Sequence, residues 1–199
     1  MHAATLPAIA HTDDTEEDTQ RHHLIIGGDS EYPPFDYLDE EGNPTGFSVD
    51  LIHAIANKLD IEVEIRLKPW TEVLAALESG EVDAILGMFY SEERDKKFDF
   101  SPPHIVNHLV AVVRKNAGKP PVQVADLHGK RLVVQRDDIM HEFAIQSGLE
   151  ESIQLVSSPT QALRELAEGK HDCALLSRPV ALYWIKKNQW DTLLVGQHP

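Results

Sequence analysis

An internal repeat constrains this chain more than any single motif does. Leu77-Glu78-Ser79-Gly80-Glu81-Val82-Asp83-Ala84 is echoed by Leu166-Ala167-Glu168-Gly169-Lys170-His171-Asp172-Cys173. Each copy reads as the end of a helix, a glycine stop, two residues, an aspartate and a buried strand. Strands alternating with helices imply mainly parallel sheets. Two such units, joined by one extended strand over Ile105 to Val113, imply two α/β lobes facing a cleft. A chain of 199 residues is long enough for both.

The first unit opens with the apolar run Leu24-Ile25-Ile26, a buried strand that ends at Gly27-Gly28-Asp29. Tyr32-Pro33-Pro34-Phe35 is extended and rigid, and Glu41-Gly42-Asn43 reads as a turn. Ser48 is placed to cap a helix to Leu59, because Leu51, Ile52, Ile55 and Leu59 recur at helical spacing. Ile61 to Leu67 alternates as a half-buried strand does, and Thr71 is placed to cap the helix that Gly80 ends. Asp83 to Met88 is the third strand, after which Ser91 caps a short helix. In the second unit, strands are expected at Arg131 to Gln135, Ile153 to Val156, Asp172 to Leu176 and Thr192 to Val195. Asp137 or Asp138 caps a helix there, and Ser158-Pro159 opens another. The domains are thus a leader over 1–22, lobe 1 over 23–109 and lobe 2 over 110–199.

Composition narrows the function. A formal charge of −15 argues against nucleic acid as a partner, since such binding needs clustered Lys and Arg. One cysteine, Cys173, allows no internal disulfide and no Cys-rich metal site, and it fits as a buried small hydrophobe. His104 and His108 lie on one face of a strand but ~13 Å apart, too far to share a metal ion. No metal or cofactor is expected. The acidic residues 1–22 read as a solvated leader without the apolar core of a signal peptide.

Ligands of open α/β sheets bind beyond the C-terminal ends of the strands. That rule selects Asp29 and Tyr32, then Phe89, Tyr90, Ser91 and Arg94, then Asp137 and Asp138, and finally Ser177 with Arg178. Trp70 joins them as a cleft or core aromatic. Arg94 sits in the first turn of its helix, where a cation opposes the dipole, as a group awaiting an anion would. Its alternative is a local ion pair with Glu92, Glu93 or Asp95. Asp29 equally suits a turn closed on its own backbone, and Ser177 a helix cap before Pro179. No Gly-x-Ser-x-Gly elbow, His-Glu-x-x-His helix or phosphate loop occurs, and His141-Glu142 reads as a helix-surface pair.

Gly28-Asp29 with Tyr32-Pro33-Pro34-Phe35, Gly46-Phe47-Ser48-Val49-Asp50-Leu51, Gly80 to Ala84, and Ser91-Glu92-Glu93-Arg94 leading to Asp99-Phe100-Ser101 resemble the family 3 bacterial extracellular solute-binding proteins. The resemblance runs from about Leu24 to Val195. It implies the type II periplasmic-binding-protein fold on the periplasmic or extracellular side of a membrane, with solute held between closing lobes. Arg136 to Glu142, with Trp70, looks more like the sensor domains of membrane histidine kinases, which implies covalently linked membrane and signalling domains. A free receptor of an ABC transporter is the alternative, and a dehydratase-like or transglycosylase-associated enzyme a weaker one. By the resemblance Arg94 clamps a ligand carboxylate, while Asp29 and Tyr32 match first-lobe cleft positions. Phe89 stands where a hydroxyl is common, Asp138 near a threonine, and Ser177 where an aspartate takes the ligand ammonium. The expected ligand is therefore a small polar or anionic solute other than an ordinary α-amino acid. The family pattern also returns to lobe 1 through a second hinge strand and helices. The chain reaches Gln197-His198-Pro199 before that return, so exposed apolar surface on lobe 1, and with it a homodimer or segment swap, is expected.

Overall fold

The computed structural model describes residues 23–197; the expected leader and the last two residues lie outside that range. Lobe 1 is built on β1 (His23–Asp29), flanked in parallel by β5 (Glu62–Lys68) and β6 (Ala84–Ile85). A small antiparallel sheet of β2 (Glu31–Tyr32), β3 (Asp36–Leu38) and β4 (Pro44–Thr45) lies beside it. Helices α1 (Phe47–Leu59) and α2 (Trp70–Ser79) pack on these strands, and α3 (Glu92–Asp95) follows β6. Lobe 2 contains β7 (Leu109–Arg114), β8 (Leu132–Gln135), α4 (Ile139–Gln146), β9 (Ile153–Val156), α5 (Pro159–Ala167), β10 (Cys173–Ser177), α6 (Arg178–Lys187) and β11 (Leu193–Val195). Its sheet runs β11-β7-β10-β8-β9, with only β7 antiparallel to the rest.

Strand alternation divides the core of lobe 2 into two layers. Val110, Val112, Val133, Ala174 and Leu176 face α5 and α6, where Leu163 and Leu166 meet them. Ala111, Val113, Leu132, Val134, Cys173 and Leu175 face the other way, toward Met140 and Ala144 of α4. Consecutive residues of a strand point to opposite faces, so a run apolar at every position must be covered on both. Lobe 1 has the smaller buried cluster of Ile26, Val49 and Leu86, and on α1 it leaves Phe47, Ile55 and Leu59 exposed.

The two copies of the repeat do the same structural work. Gly80 (φ 75°) and Gly169 (φ 84°) take the left-handed conformation just past α2 and α5, which glycine adopts without a Cβ penalty. Three residues on, Asp83 Oδ2 accepts from the Ile25 N–H at 2.8 Å, and Asp172 Oδ2 accepts from the Arg131 N–H at 2.9 Å. The aspartate N–H groups return the bond, to Ile25 O and Arg131 O. Each aspartate thus ties its strand to the start of the first strand of its own unit.

Several expected boundaries move. The helix expected to follow a Ser48 cap starts at Phe47 after Gly46, and Trp70, not Thr71, begins α2 after Pro69. Gly46 (φ 118°) is required: a Cβ would run into the Phe35 carbonyl oxygen. The third strand of lobe 1 is only Ala84–Ile85, and the linking strand starts at Leu109 because Ile105 to His108 carry no ladder partner. A strand is completed by a neighbour to bond with, which β-branched composition alone does not supply.

Candidate functional site

The segments after β6 and β8 bring both lobes together around Arg94, and the ends of β1, β8 and β10 meet beside it. Ser91 caps α3, its hydroxyl accepting from the Arg94 N–H at 3.2 Å, and so fixes where the guanidinium starts. Arg94 is 6% exposed, and its ion-pair partner is none of its acidic neighbours in sequence. Its Nε donates to Glu142 Oε1 of α4 at 2.5 Å, Nη1 to the Phe89 carbonyl at 3.3 Å, and Nη2 to the Asp137 carbonyl at 2.9 Å. Ser91 Oγ donates to the other oxygen of Glu142 at 2.8 Å. Glu142, expected on a helix surface, instead spans the cleft. The guanidinium lies over the Trp70 ring at 5.9 Å, and the Trp70 indole N–H donates to the same Asp137 carbonyl at 2.8 Å.

Asp137 presents that carbonyl from a left-handed backbone (φ 60°), while its side chain stays half in solvent beside His141. Asp138 is the residue that caps α4, accepting from the Met140 N–H at 2.9 Å. Burial raises its carboxyl above the usual range, against the pull of that N–H and of Arg94.

A second junction lies below the first. Asp29, 4% exposed, accepts from the Glu31 N–H through Oδ1 at 2.8 Å, which is the expected turn, and from Gln135 Nε2 across the cleft at 3.0 Å. Burial lifts its carboxyl to about 6 despite those two hydrogen bonds. Asp36, buried behind it, accepts from the Asp29 N–H at 2.8 Å and is pushed well above the carboxylate range by burial and by the Asp29 charge. Gly28 permits this approach, because a Cβ there would lie 2.7 Å from Asp36 Oδ2 and from Leu67.

Tyr32, Gln135, Asp138 and Ser177 line a cavity of about 10 Å³, closed by Pro159 and Ala162, with room for about one water-sized group. Among the described residues the Tyr32 hydroxyl meets no partner in good hydrogen-bonding geometry, although Ser177 lies beside it, and burial together with the Asp138 charge makes it a weaker acid still. Ser177 holds the expected N-cap position of α6, but its hydroxyl makes no capping bond and is tied to Asn107 at 2.9 Å instead. Tyr90 is also displaced: it is 59% exposed, with its hydroxyl on Asp95 and its ring against Phe100. Phe89 contributes its carbonyl, and Arg178 is exposed.

Sequence reasoning missed four participants. Gln135 ends a strand, so the rule that selected Asp29 also applies to it. Glu142 lies one helical turn beyond the Asp138 cap, on the face turned to the cleft. Asn107 and Trp184 carried no signal; the Trp184 indole reaches the Glu31 carbonyl at 3.1 Å from α6.

Two α/β lobes whose strand ends meet over a polar cleft are the periplasmic-binding-protein-like fold, shared with a crystal structure of a histidine kinase sensor domain similar to periplasmic binding proteins (TM-score 0.85, 36% identity, 88% of this chain and 77% of that one). The profile of the bacterial extracellular solute-binding proteins, family 3, matches residues 24–151, and the chain belongs to that family. The L-cystine-binding protein TcyJ of Escherichia coli (strain K12) is 30% identical over 177 residues, 88% of this chain and 66% of TcyJ. The arginine-binding extracellular protein ArtP of Bacillus subtilis (strain 168) is 30% identical over 168 residues, 83% of this chain and 65% of ArtP. The chain therefore spans about two thirds of these curated relatives. Among the described residues, no helix is long and apolar enough to cross a membrane.

Proposed function

We propose that this chain is the extracytoplasmic solute-binding sensor domain of a membrane histidine kinase, without catalysis of its own. Solute enters between lobe 1 (23–109) and lobe 2 (110–199), and lobe closure is the signal. The observation that carries this reading is the set of cross-cleft bonds from Arg94, Trp70 and Gln135, which a closed packing of the two lobes would use. Likeness to a kinase sensor domain at 36% identity supports the same reading. Asp29, Tyr32, Asp138 and Ser177 line or charge the solute end of the cleft, and Trp70, Ser91 and Arg94 frame it. An ordinary α-amino acid suits the site poorly, because Arg94 is already paired and Ser177 carries no charge for an ammonium group. A free transport receptor is the second reading, favoured by the cystine and arginine binders among the relatives.

Closure shifts a downstream two-state element only as far as solute prefers one form; moving it from 1:99 to 99:1 takes about 5.5 kcal/mol. The test is autophosphorylation of the full-length membrane protein with solutes that stabilise this domain. A kinase output that changes with solute supports the sensor. A reading frame without membrane helix and kinase, or an output indifferent to every stabilising solute, overturns it in favour of transport.

A further inference from the structure

Glu142 holds Arg94 as a bound carboxylate would. Its Oε1 takes the guanidinium at 2.5 Å and its Oε2 takes the Ser91 hydroxyl at 2.8 Å, so both oxygens are used. The guanidinium's remaining hydrogen bonds go to two backbone carbonyls, and its face is covered by Trp70. The positive charge of this wall is therefore spent inside the protein.

Around the rest of the cleft the charged groups are acidic, set among Pro159, Ala162, Leu175 and Leu176. Asp138 lines the cavity and Asp29 adds its charge from lobe 1, while no Lys, Arg or His stands among the cavity's lining residues. The buried Tyr32 hydroxyl, beside Ser177, keeps a lone pair to accept with there, and the free volume is that of about one water-sized group, which an ammonium head alone would fill. A carboxylate placed in this space would meet Asp138 with no cation left to offset it. A cation would gain an acid and a hydroxyl acceptor, both desolvated.

We infer that Glu142 is a built-in carboxylate for the Arg94 clamp, and that the ligand of the remaining cleft is a compact primary amine bearing no carboxylate, received by Asp138 and the Tyr32 hydroxyl. This rests on the reading of the cleft as a solute site. Glycine or arginine would have to expel Glu142 to reach Arg94, whereas methylammonium or ethanolamine leaves that pair in place.

Thermal melts of the full chain at matched ionic strength test this, with methylammonium, ethanolamine, acetate, glycine and potassium chloride as probes. The wild type should gain melting temperature with the two amines and not with acetate, glycine or potassium. Glu142→Gln should bind acetate about ten- to a hundredfold more tightly than the wild type does, because Arg94 is freed. Asp138→Asn, which keeps the helix cap, should lose the amine response. Acetate or glycine stabilising the wild type as well as Glu142→Gln overturns the inference and leaves the solute site standing. An equal rise with potassium overturns the amine class. Silence of both proteins toward every probe overturns the inference and the solute-site reading together.

Discussion

Trp70 and Arg94 converge on one acceptor. The indole N–H and a guanidinium N–H, from different helices of lobe 1, both donate to the Asp137 carbonyl of lobe 2, at 2.8 and 2.9 Å. The ring also lies under the guanidinium. A carbonyl has two lone pairs, so both bonds form at once, and two donors of lobe 1 are tied to one point of lobe 2.

Replacing Trp70 by Phe keeps the ring and removes the donor. The expected cost is about 1 kcal/mol in urea unfolding, the usual worth of one such bond. A larger radius of gyration by small-angle scattering should accompany it, since one of the bonds that hold the lobes closed is gone. An unchanged radius would show that the remaining cross-cleft bonds hold the lobes without it.

Asp29 supplies a pH dependence with a definite sign. Its carboxyl titrates at about 6 in the folded chain and near 3.8 in a free carboxylate, so the folded state holds more protons between those values. Stability from this group is then fully present below about 4 and is lost as pH rises through about 6. Asp29→Asn, which can still close the turn but turns its amide N–H toward Gln135, should flatten that slope, the lost Gln135 bond of about 1 kcal/mol offsetting part of the gain at pH 7. Denaturant midpoints at pH 4.5 and 7 for both proteins measure it; a wild-type slope of the opposite sign in this window would refute the assignment.

Gly46 tolerates no side chain. Its backbone (φ 118°, ψ 173°) lies in a region open essentially to glycine, and a Cβ would strike the Phe35 carbonyl oxygen. Gly46→Ala should destabilise by about 2 kcal/mol or more and disturb the segment that carries Tyr32. Exposed Gly42 (φ 85°), with nothing near its Cβ, is the control, expected to cost only the backbone penalty of about 1 kcal/mol.

The repeat aspartates should behave alike. Asp83→Ala and Asp172→Ala each strip an acceptor from the N–H of a neighbouring strand, at about 1 kcal/mol apiece. Asp172 has an additional partner in the Arg131 side chain, which holds its carboxyl down to about 2. Its contribution is therefore present above pH 4 and lost as pH falls toward 2, although the exposed pair keeps that effect small. Acid unfolding curves that match for wild type and Asp172→Ala would remove this role.

What the sequence exposed followed the range of the forces involved. The strands and most helices were legible because apolar periodicity and glycine stops act within a few residues, as at Gly80 and Gly169. Asp138 as a cap and Asp29 as a turn residue were legible for the same reason. Tyr90 was misplaced because nothing local tells which side of α3 an aromatic takes, and Asp95 with Phe100 draw it outward. Glu142 was hidden because its partner lies 48 residues away and its helix face has meaning only once the lobes are set opposite each other. Ser91 and Arg94 pointed to an anion; that the anion is the chain's own carboxylate is a fact of tertiary structure.

Asp138 caps α4 and Glu142 stands one turn into it, so both move with that helix. They ride a single rod, so parting the jaws withdraws two negative charges in one stroke. At Arg94 the local field then swings from compensated to bare positive, set against an aromatic face.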